Sequence, residues 1–255
     1  MTYILIATPT AGGVVKSLCA ITLVKVVLAI KDAGWNVSFM SVDGCYVSMA
    51  RNYFANILLR QSQFTHLVMI DSDMSFDGQT VCRLVRHGKP VVAAAYAARR
   101  MDLEAFAAAS RNSELTASDR LALASSYTVQ PALEPGTRQI KVIDGLCRVN
   151  HIALGCSVIE RAVFENLIAA GAARLLPDDA LGQAHRIDLK GPFYDFFSEI
   201  TLENGIRLGE DYSFCKRWRS VDGNEIWAAV EESIGHVGDM IYGAPYLNRL
   251  HQGKA

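Results

Sequence analysis

The first hundred residues alternate between short apolar runs and helical patterns, and this alternation limits the fold more than any single motif. Residues 3–7 read as a strand. A loop with Pro9, Gly12 and Gly13 follows, then a helix through about Lys31 that Gly34 stops. Residues 36–42 form a second strand, and a turn at Asp43-Gly44 leads to a helix over about 48–59 with Ser48 as its N-cap. Residues 67–70 are a third strand, 79–87 a short helix and 90–96 another strand. Such alternation predicts an α/β fold, a Rossmann-like mostly parallel sheet flanked by helices on both faces. In open sheets of this kind, ligands bind outside the carboxyl ends of the strands.

Residues 101–138 have a different texture, Ala- and Ser-rich with two short helical patterns and a loop holding Pro131, Pro135 and Gly136. They read as an insertion over the sheet edge, either a variable connection or a substrate lid. The sheet resumes over 139–143 and 148–154, and Gly155-Cys156-Ser157 leads into a helix over 160–170. Residues 175–191 read as loop, and a helix over 211–221 and a strand over 225–230 close the fold. No repeat, low-complexity tract or linker divides the chain. A single domain over 1–255 is expected, with halves at 1–100 and 139–240 and a tail at 241–255.

Bulk properties exclude several classes. A chain of 255 residues buries roughly 70–75% of its unfolded surface. A net charge of -1 offers no basic footprint for a nucleic-acid backbone. The apolar stretch 14–30 carries Lys16 and Lys25, so it reads as a core-packed helix and not a membrane span. The start lacks a basic region of the secretory type, so no signal peptide is expected. The six cysteines (19, 45, 82, 147, 156 and 215) form no C-x-x-C pair and sit among apolar neighbours. They read as small hydrophobes in a reducing compartment, and a cytoplasmic protein is expected.

Chemistry enters at HLVMIDSDMSF, residues 66–76. The apolar run delivers Asp71 and Asp73 to one strand end, where two carboxylates repel each other and lose solvation unless a cation joins them. Oxygen ligands with no cysteine beside them suit Mg²⁺ or Mn²⁺, ions that commonly hold substrate phosphates. The plain alternative is a turn-capping Asp71 and a solvated Asp73. The first loop, with Thr8, Pro9 and Thr10, is not a P-loop, because Val15 stands where a glycine must precede Lys16. It remains a strand-to-helix turn suited to a nucleotide base or ribose, or simply a tight turn. Further on, Phe214, Cys215 and Trp218 share a helix face. Glu210 and Asp211 fall at that helix's N-terminus, as capping carboxylates or as a general base for an acceptor hydroxyl. His236 sits between Gly235 and Gly238 just after a strand, where its ring can reach a metal. His66, His87, His151, His185 and His251 read as structural or surface. Arg99 or Arg100 can face a diphosphate or an acceptor.

Taken in order, these features resemble a GT-A-type nucleotide-sugar glycosyltransferase close to the family 2 group, over about residues 3–240. Asp71-Ser72-Asp73 is similar to the family's D-x-D, which holds a divalent cation on the sugar-nucleotide diphosphate. Ser48-x-x-Arg51-Asn52 resembles a helix that positions nucleotide and diphosphate, Glu210-Asp211 the motif whose aspartate is the base of inverting members, and His236 a histidine completing the metal shell. Gly155 to Arg161 resembles the strand and turn at the acceptor side. Phe193-Tyr194-Asp195-Phe196-Phe197 is the only candidate for an aromatic acceptor motif.

The resemblance implies a GT-A fold, with a nucleotide-sugar-binding half at 1–100 and an acceptor-side half at 139–240. It implies a cation (Mn²⁺ or Mg²⁺) on Asp71, Asp73 and His236, and a UDP- or GDP-sugar donor near Thr8, Pro9, Thr10, Arg51, Asn52, Asp71, Ser72 and Asp73. Asp211, with Glu210, would activate a hydroxyl acceptor for inverting transfer. Three alternatives stand beside it: a retaining transferase, a sugar-nucleotide-binding domain without turnover, and a nucleotidyltransferase. The last would carry a Gly-rich basic loop after the first strand, which residues 9–13 lack.

Overall fold

A computed structural model describes residues 1–177, 191–238 and 241–252. Its centre is a nine-stranded sheet. From one edge the order is Asn36–Asp43, Tyr3–Thr10, His66–Ile70, Cys156–Glu160, Val91–Ala94, Ile226–Ala229, Leu146–Ile152 and Val129–Pro131, with Val142–Ile143 also on Leu146–Ile152. Tyr3–Thr10 is parallel to both neighbours, and Ile226–Ala229 is parallel to Val91–Ala94. Cys156–Glu160 is antiparallel to the strands on either side of it. Leu146–Ile152 is antiparallel to Ile226–Ala229, Val129–Pro131 and Val142–Ile143. Seven strands therefore run in one direction and two in the other, and the sheet is mixed, an α/β architecture in which the expected parallel strands are interrupted near the centre.

That antiparallel strand is the largest departure from the residue-pattern reading, which ran residues 155–157 directly into a helix, whereas the family resemblance had a strand and turn over Gly155 to Arg161. Cys156 to Ile159 are all buried, so the segment shows no alternation. A short apolar run without alternation is compatible with either a strand or the start of a buried helix. The helix itself is Arg161–Ala169.

Both faces of the sheet are covered because successive side chains point to opposite sides. Leu5, Ala7, Leu67 and Met69 pack with Phe54, Leu58, Phe164, Phe214 and Trp218. Ile4, Ile6, Val68 and Ile70 pack on the other side with Cys19, Val26, Ile30, Val81 and Leu84. The helix Ser17–Asp32 buries Cys19, Thr22, Val26, Ala29 and Ile30, one stripe at three- and four-residue spacing, and no described helix is long and apolar enough to cross a membrane.

The helix Val47–Arg60 starts after Tyr46, whose backbone is extended and which supplies no side-chain cap. Ser48 lies inside the first turn, so it is not the expected N-cap. At the other end Arg161 donates to the carbonyls of Leu58 at 2.5 Å, Leu59 at 2.6 Å and Gln61 at 3.1 Å. Carbonyls that a helix C-terminus leaves unpaired are thereby satisfied, and Arg161 has a structural duty here.

Residues 101–138 contain the helices Leu103–Ser110 and Ala117–Ala124. Val129–Pro131 from the same segment extends the sheet by pairing with Leu146–Ile152. The segment expected as a tail belongs to the body: Ile241–Tyr242 pairs with Gly235–Val237, and Tyr246 in the helix Tyr246–His251 is buried in the main core. Of the expected loop 175–191, residues 175 and 176 belong to the strand Arg174–Leu176, which pairs with Phe193–Asp195. Residues 178–190, with His185, lie outside the described residues.

Candidate active site

The third strand ends at Ile70, and the register Cys156↔Ile70 sets Gly155 beside Asp71. The Asp71 amide donates to the Gly155 carbonyl at 2.9 Å, and the Met74 amide closes a turn onto the Asp71 carbonyl at 3.1 Å. Within that turn the Ser72 carbonyl accepts from the Lys16 amide at 2.9 Å and the Asp73 carbonyl from the Val237 amide at 2.7 Å. The acidic loop is therefore pinned on one side by the loop after the first strand and on the other by the His236 segment. A β-carbon at position 155 would fall 2.5 Å from Tyr96 Oη and 2.6 Å from Asp71 Oδ2, so only glycine allows this approach. The Gly155 amide donates to Tyr96 Oη at 3.2 Å.

Arg51 is the centre of the arrangement. Its side chain is 1% exposed and reaches carboxylates from both halves of the chain. Nη2 lies 3.2 Å from Asp71 Oδ1 and 3.3 Å from Oδ2, and Nε lies 3.1 Å from Asp211 Oδ1 and 3.7 Å from Glu210 Oε1. The helix Glu210–Arg219 brings the second pair. Ser213, Phe214, Cys215 and Trp218 bury one face, which leaves Glu210 and Asp211 in the first turn directed at the sheet's end. Asp211 Oδ2 also accepts from the Leu154 amide at 3.0 Å.

Asp71 Oδ1 and Asp211 Oδ1 are within ion-pair range of Arg51, yet neither is aligned for a hydrogen bond. Burial pushes Asp211 up to about 7, with Glu210 and Asp71 adding to the rise and Arg51 and the Leu154 amide opposing it. Burial also pushes the Tyr96 hydroxyl up, reinforced by Asp71 and Asp211.

Asp73 faces a different set of partners. Gly235–Val237 pairs with Met74–Ser75, which carries His236 Nε2 to 3.4 Å from Asp73 Oδ2. His236 Nδ1 lies 3.0 Å from the Ala97 carbonyl. A carbonyl only accepts, so Nδ1 carries the proton and Nε2 is turned toward Asp73. Arg99 Nη1 is 3.1 Å from the same Oδ2. Burial raises Asp73, but the His236 hydrogen bond and charge together with Arg99 outweigh it and hold the carboxyl below its usual value.

The sequence-derived site residues divide into those gathered here and those employed elsewhere. Arg51, Asp71, Ser72, Asp73, Glu210, Asp211 and His236 belong to one site. Asn52 does not: its Nδ2 donates to Asp195 at 2.9 Å, and its Oδ1 accepts from the Phe196 and Phe197 amides at 2.7 and 3.1 Å. One helix residue after Arg51, it points into the core loop. Thr8 and Thr10 are strand residues rather than loop residues, since the first strand runs on to Thr10. Thr10 donates to the Val42 carbonyl at 3.1 Å, Thr8 is buried with an unpartnered hydroxyl, and Pro9 is half-buried. Phe193, Phe196 and Phe197 are core, with Phe197 stacked on Phe214 at 4.7 Å, so the aromatic run is not an acceptor platform.

Among the described residues no three His, Cys, Asp or Glu side chains converge as a metal-binding group. Asp71 is held by Arg51, and the expected trio of Asp71, Asp73 and His236 is reduced to the Asp73–His236 pair. Tyr96 and the Leu154 amide were not foreseen. An aromatic residue at a strand end reads as core, and a backbone donor leaves no trace in side-chain patterns.

No protein-family model matches the chain, and no curated protein is significantly similar to it. Among solved structures the chain is similar to the crystal structure of A197 from STIV, with 17% identity, coverage of 94% of this chain and 87% of that one, and a TM-score of 0.48.

Proposed function

We propose that the chain is a metal-dependent glycosyltransferase that moves a sugar from a nucleotide-diphosphate sugar to a hydroxyl acceptor with inversion, on a GT-A-type frame. The observation that carries the reading is the single buried guanidinium of Arg51, which ties the acidic strand end at Asp71 to the Glu210–Asp211 pair. A donor-side carboxylate loop and a candidate base are thereby held in one rigid constellation.

Two of the proposed cation ligands, Asp73 and His236, come together, and no third His, Cys, Asp or Glu among the described residues joins them. Asp71, Asp73, Glu210 and Asp211 oppose Arg51 and Arg99, which leaves two negative charges in excess when all four carboxylates are ionised. His236 donates its Nδ1 proton to a backbone carbonyl, the arrangement that orients an imidazole as a ligand through its other nitrogen. Mg²⁺ and Mn²⁺ are commonly held by one or two carboxylates with waters and substrate phosphates filling the remaining positions, so a cation at the Asp73–His236 pair would depend on the donor's diphosphate to complete its shell. When bound, the ion would supply Lewis-acid stabilisation of charge on the departing diphosphate.

The chain's own residues supply the rest. Asp211, raised by burial toward neutrality, is suited to take the proton of an incoming hydroxyl. Arg51 and the Leu154 amide keep its carboxylate oriented, and Gly155 lets Tyr96 and Asp71 approach each other. Six free cysteines, most of them buried, accord with a cytoplasmic enzyme.

A thermal-shift panel of UDP-, GDP-, CMP- and dTDP-sugars with and without Mn²⁺ tests the reading. A donor at ~100-fold excess over its dissociation constant adds ~2.7 kcal/mol, and the gain should require Mn²⁺ and disappear in Asp73→Asn. A panel in which no nucleotide sugar stabilises the chain refutes the assignment. Net retention at the anomeric carbon would remove Asp211 from the role of inverting base.

A further inference from the structure

The helix Ser17–Asp32 is apolar on two sides, and among the described residues only one side is covered. Inward it buries Cys19, Val26, Ala29 and Ile30. Outward it presents Ile21, Val24 and Leu28, which are 51%, 61% and 58% exposed. A surface helix ordinarily turns polar and charged residues to water, and one that is apolar all round is a covered helix. The outward stripe steps by three and then four residues, the spacing of a seam along which one helix packs on another.

Beside this stripe lies Asn36–Asp43, the strand at one end of the central sheet. Phe39, 49% exposed, turns to the helix side and lines an open groove with Leu23, Val24, Val27 and Leu28. The strand pairs with Tyr3–Thr10 on its inner side, and no described strand pairs with its outer side. Natural sheets protect such an edge with lysine, proline, a bulge or a covering segment. This edge has no lysine and no proline, its register is unbroken over 8 residues, and its one charge is the terminal Asp43.

We propose that this face is a two-fold interface with a second copy of the chain: the two edge strands pair antiparallel into one continuous sheet, and the two outward helix stripes pack on each other above it. A two-fold axis perpendicular to the sheet runs identical edge strands antiparallel and keeps both helices on one face. With Val24 at the axis, residues equidistant from it meet, so the exposed Lys16 of one copy faces the exposed Asp32 of the other. Ile21, Val24, Leu28 and Phe39, each about half exposed, offer on the order of 100 Å² apiece. Two copies bury roughly 800 Å² of side-chain surface, and the paired strands bring the total to about 1,000–1,200 Å², where weak specific interfaces begin. A membrane would suit the stripe and the flanking Lys16, Lys25 and Lys31, but open strand N–H and C=O groups are not tolerated in hydrocarbon. The bare edge selects a partner that brings a strand of its own. Ile21, Val24, Leu28 and Phe39 take no part in the Arg51 site, so the inference does not depend on the transferase reading.

Sedimentation velocity of the full chain over about 1–100 µM, the range for an interface of this size, should show the mass rising from 27.9 kDa toward twice that value. Val24→Asp sets two carboxylates face to face at the axis and should raise the dissociation constant at least about 100-fold, with the far-UV circular dichroism unchanged. Val24→Cys should form a disulfide-linked dimer under mild oxidation, while Lys25→Cys, directed away from the axis, should not. The parent, whose cysteines are mostly buried, sets the background. A parent that stays at 27.9 kDa throughout overturns the proposal. So does a dimer that Val24→Asp leaves intact, or one that Lys25→Cys traps as readily as Val24→Cys. A monomer that instead co-sediments with phosphatidylserine vesicles, and loses this in Val24→Asp, gives the face to a membrane and also overturns it.

Discussion

Replacing Arg51 by methionine removes the guanidinium that three carboxylates share while nearly preserving side-chain volume. Arg51 is 1% exposed, and Asp71, Glu210 and Asp211 are 25%, 20% and 15% exposed. Removing one partner of a buried ion pair typically costs ~3–5 kcal/mol. The carboxylates keep some hydration, so the lower end, about 3 kcal/mol, applies near neutral pH. The loss depends on pH in a definite direction. Asp211 is already raised by burial against the lowering effect of Arg51, and without Arg51 it titrates higher still than in the unfolded chain. Stability from such a raised group is present in acid and lost as pH rises through its folded value. The deficit relative to the parent should therefore be small near about pH 5 and grow toward about pH 8. Urea unfolding of both proteins at several pH values measures it. Millimolar Mn²⁺ should stabilise the variant more than the parent, because a cation replaces the missing charge. A deficit below about 1 kcal/mol that is flat across this range would refute the view that Arg51 neutralises the three carboxylates.

Three shorter predictions follow from the same geometry. On the proposed transferase reading, Asp211→Asn should lower sugar transfer by roughly 10²–10⁴-fold with donor binding retained, as measured by product release and calorimetry. In the parent, kcat/KM should rise with pH through about 7, since only the ionised carboxylate accepts a proton. Asn52→Ala should cost about 1–3 kcal/mol in urea unfolding through the orphaned Phe196 and Phe197 amides, while nucleotide-sugar affinity stays unchanged. A fall in affinity without a fall in stability would return Asn52 to the binding site.

Much of the frame was legible because helix and strand periods are local properties of the chain. The elements Ser17–Asp32, Asn36–Asp43, His66–Ile70 and Glu210–Arg219 lie within one or two residues of their expected bounds. The misses share a cause. Cys156–Glu160 has no alternation to read, since both of its faces are covered. Ser48 had the chemistry of a cap but not the position, because the helix begins one residue earlier. Asn52 and Arg51 are adjacent in sequence yet point to different interiors, a distinction that follows from helix phase against two neighbours.

Apolar periodicity by itself determined an α/β frame with Asp71 and Asp73 at the end of a buried strand and Glu210 and Asp211 at the start of a helix. Only the tertiary structure decided that Arg51 joins Asp71 to Asp211, that His236 and Arg99 meet on Asp73, and that Asn52 serves the core. Hydrophobic patterns act over a few residues and report which side of an element is buried. Ion pairing acts over about 3 to 4 Å between groups far apart in the chain. It is set by strand order and register, which no local pattern contains.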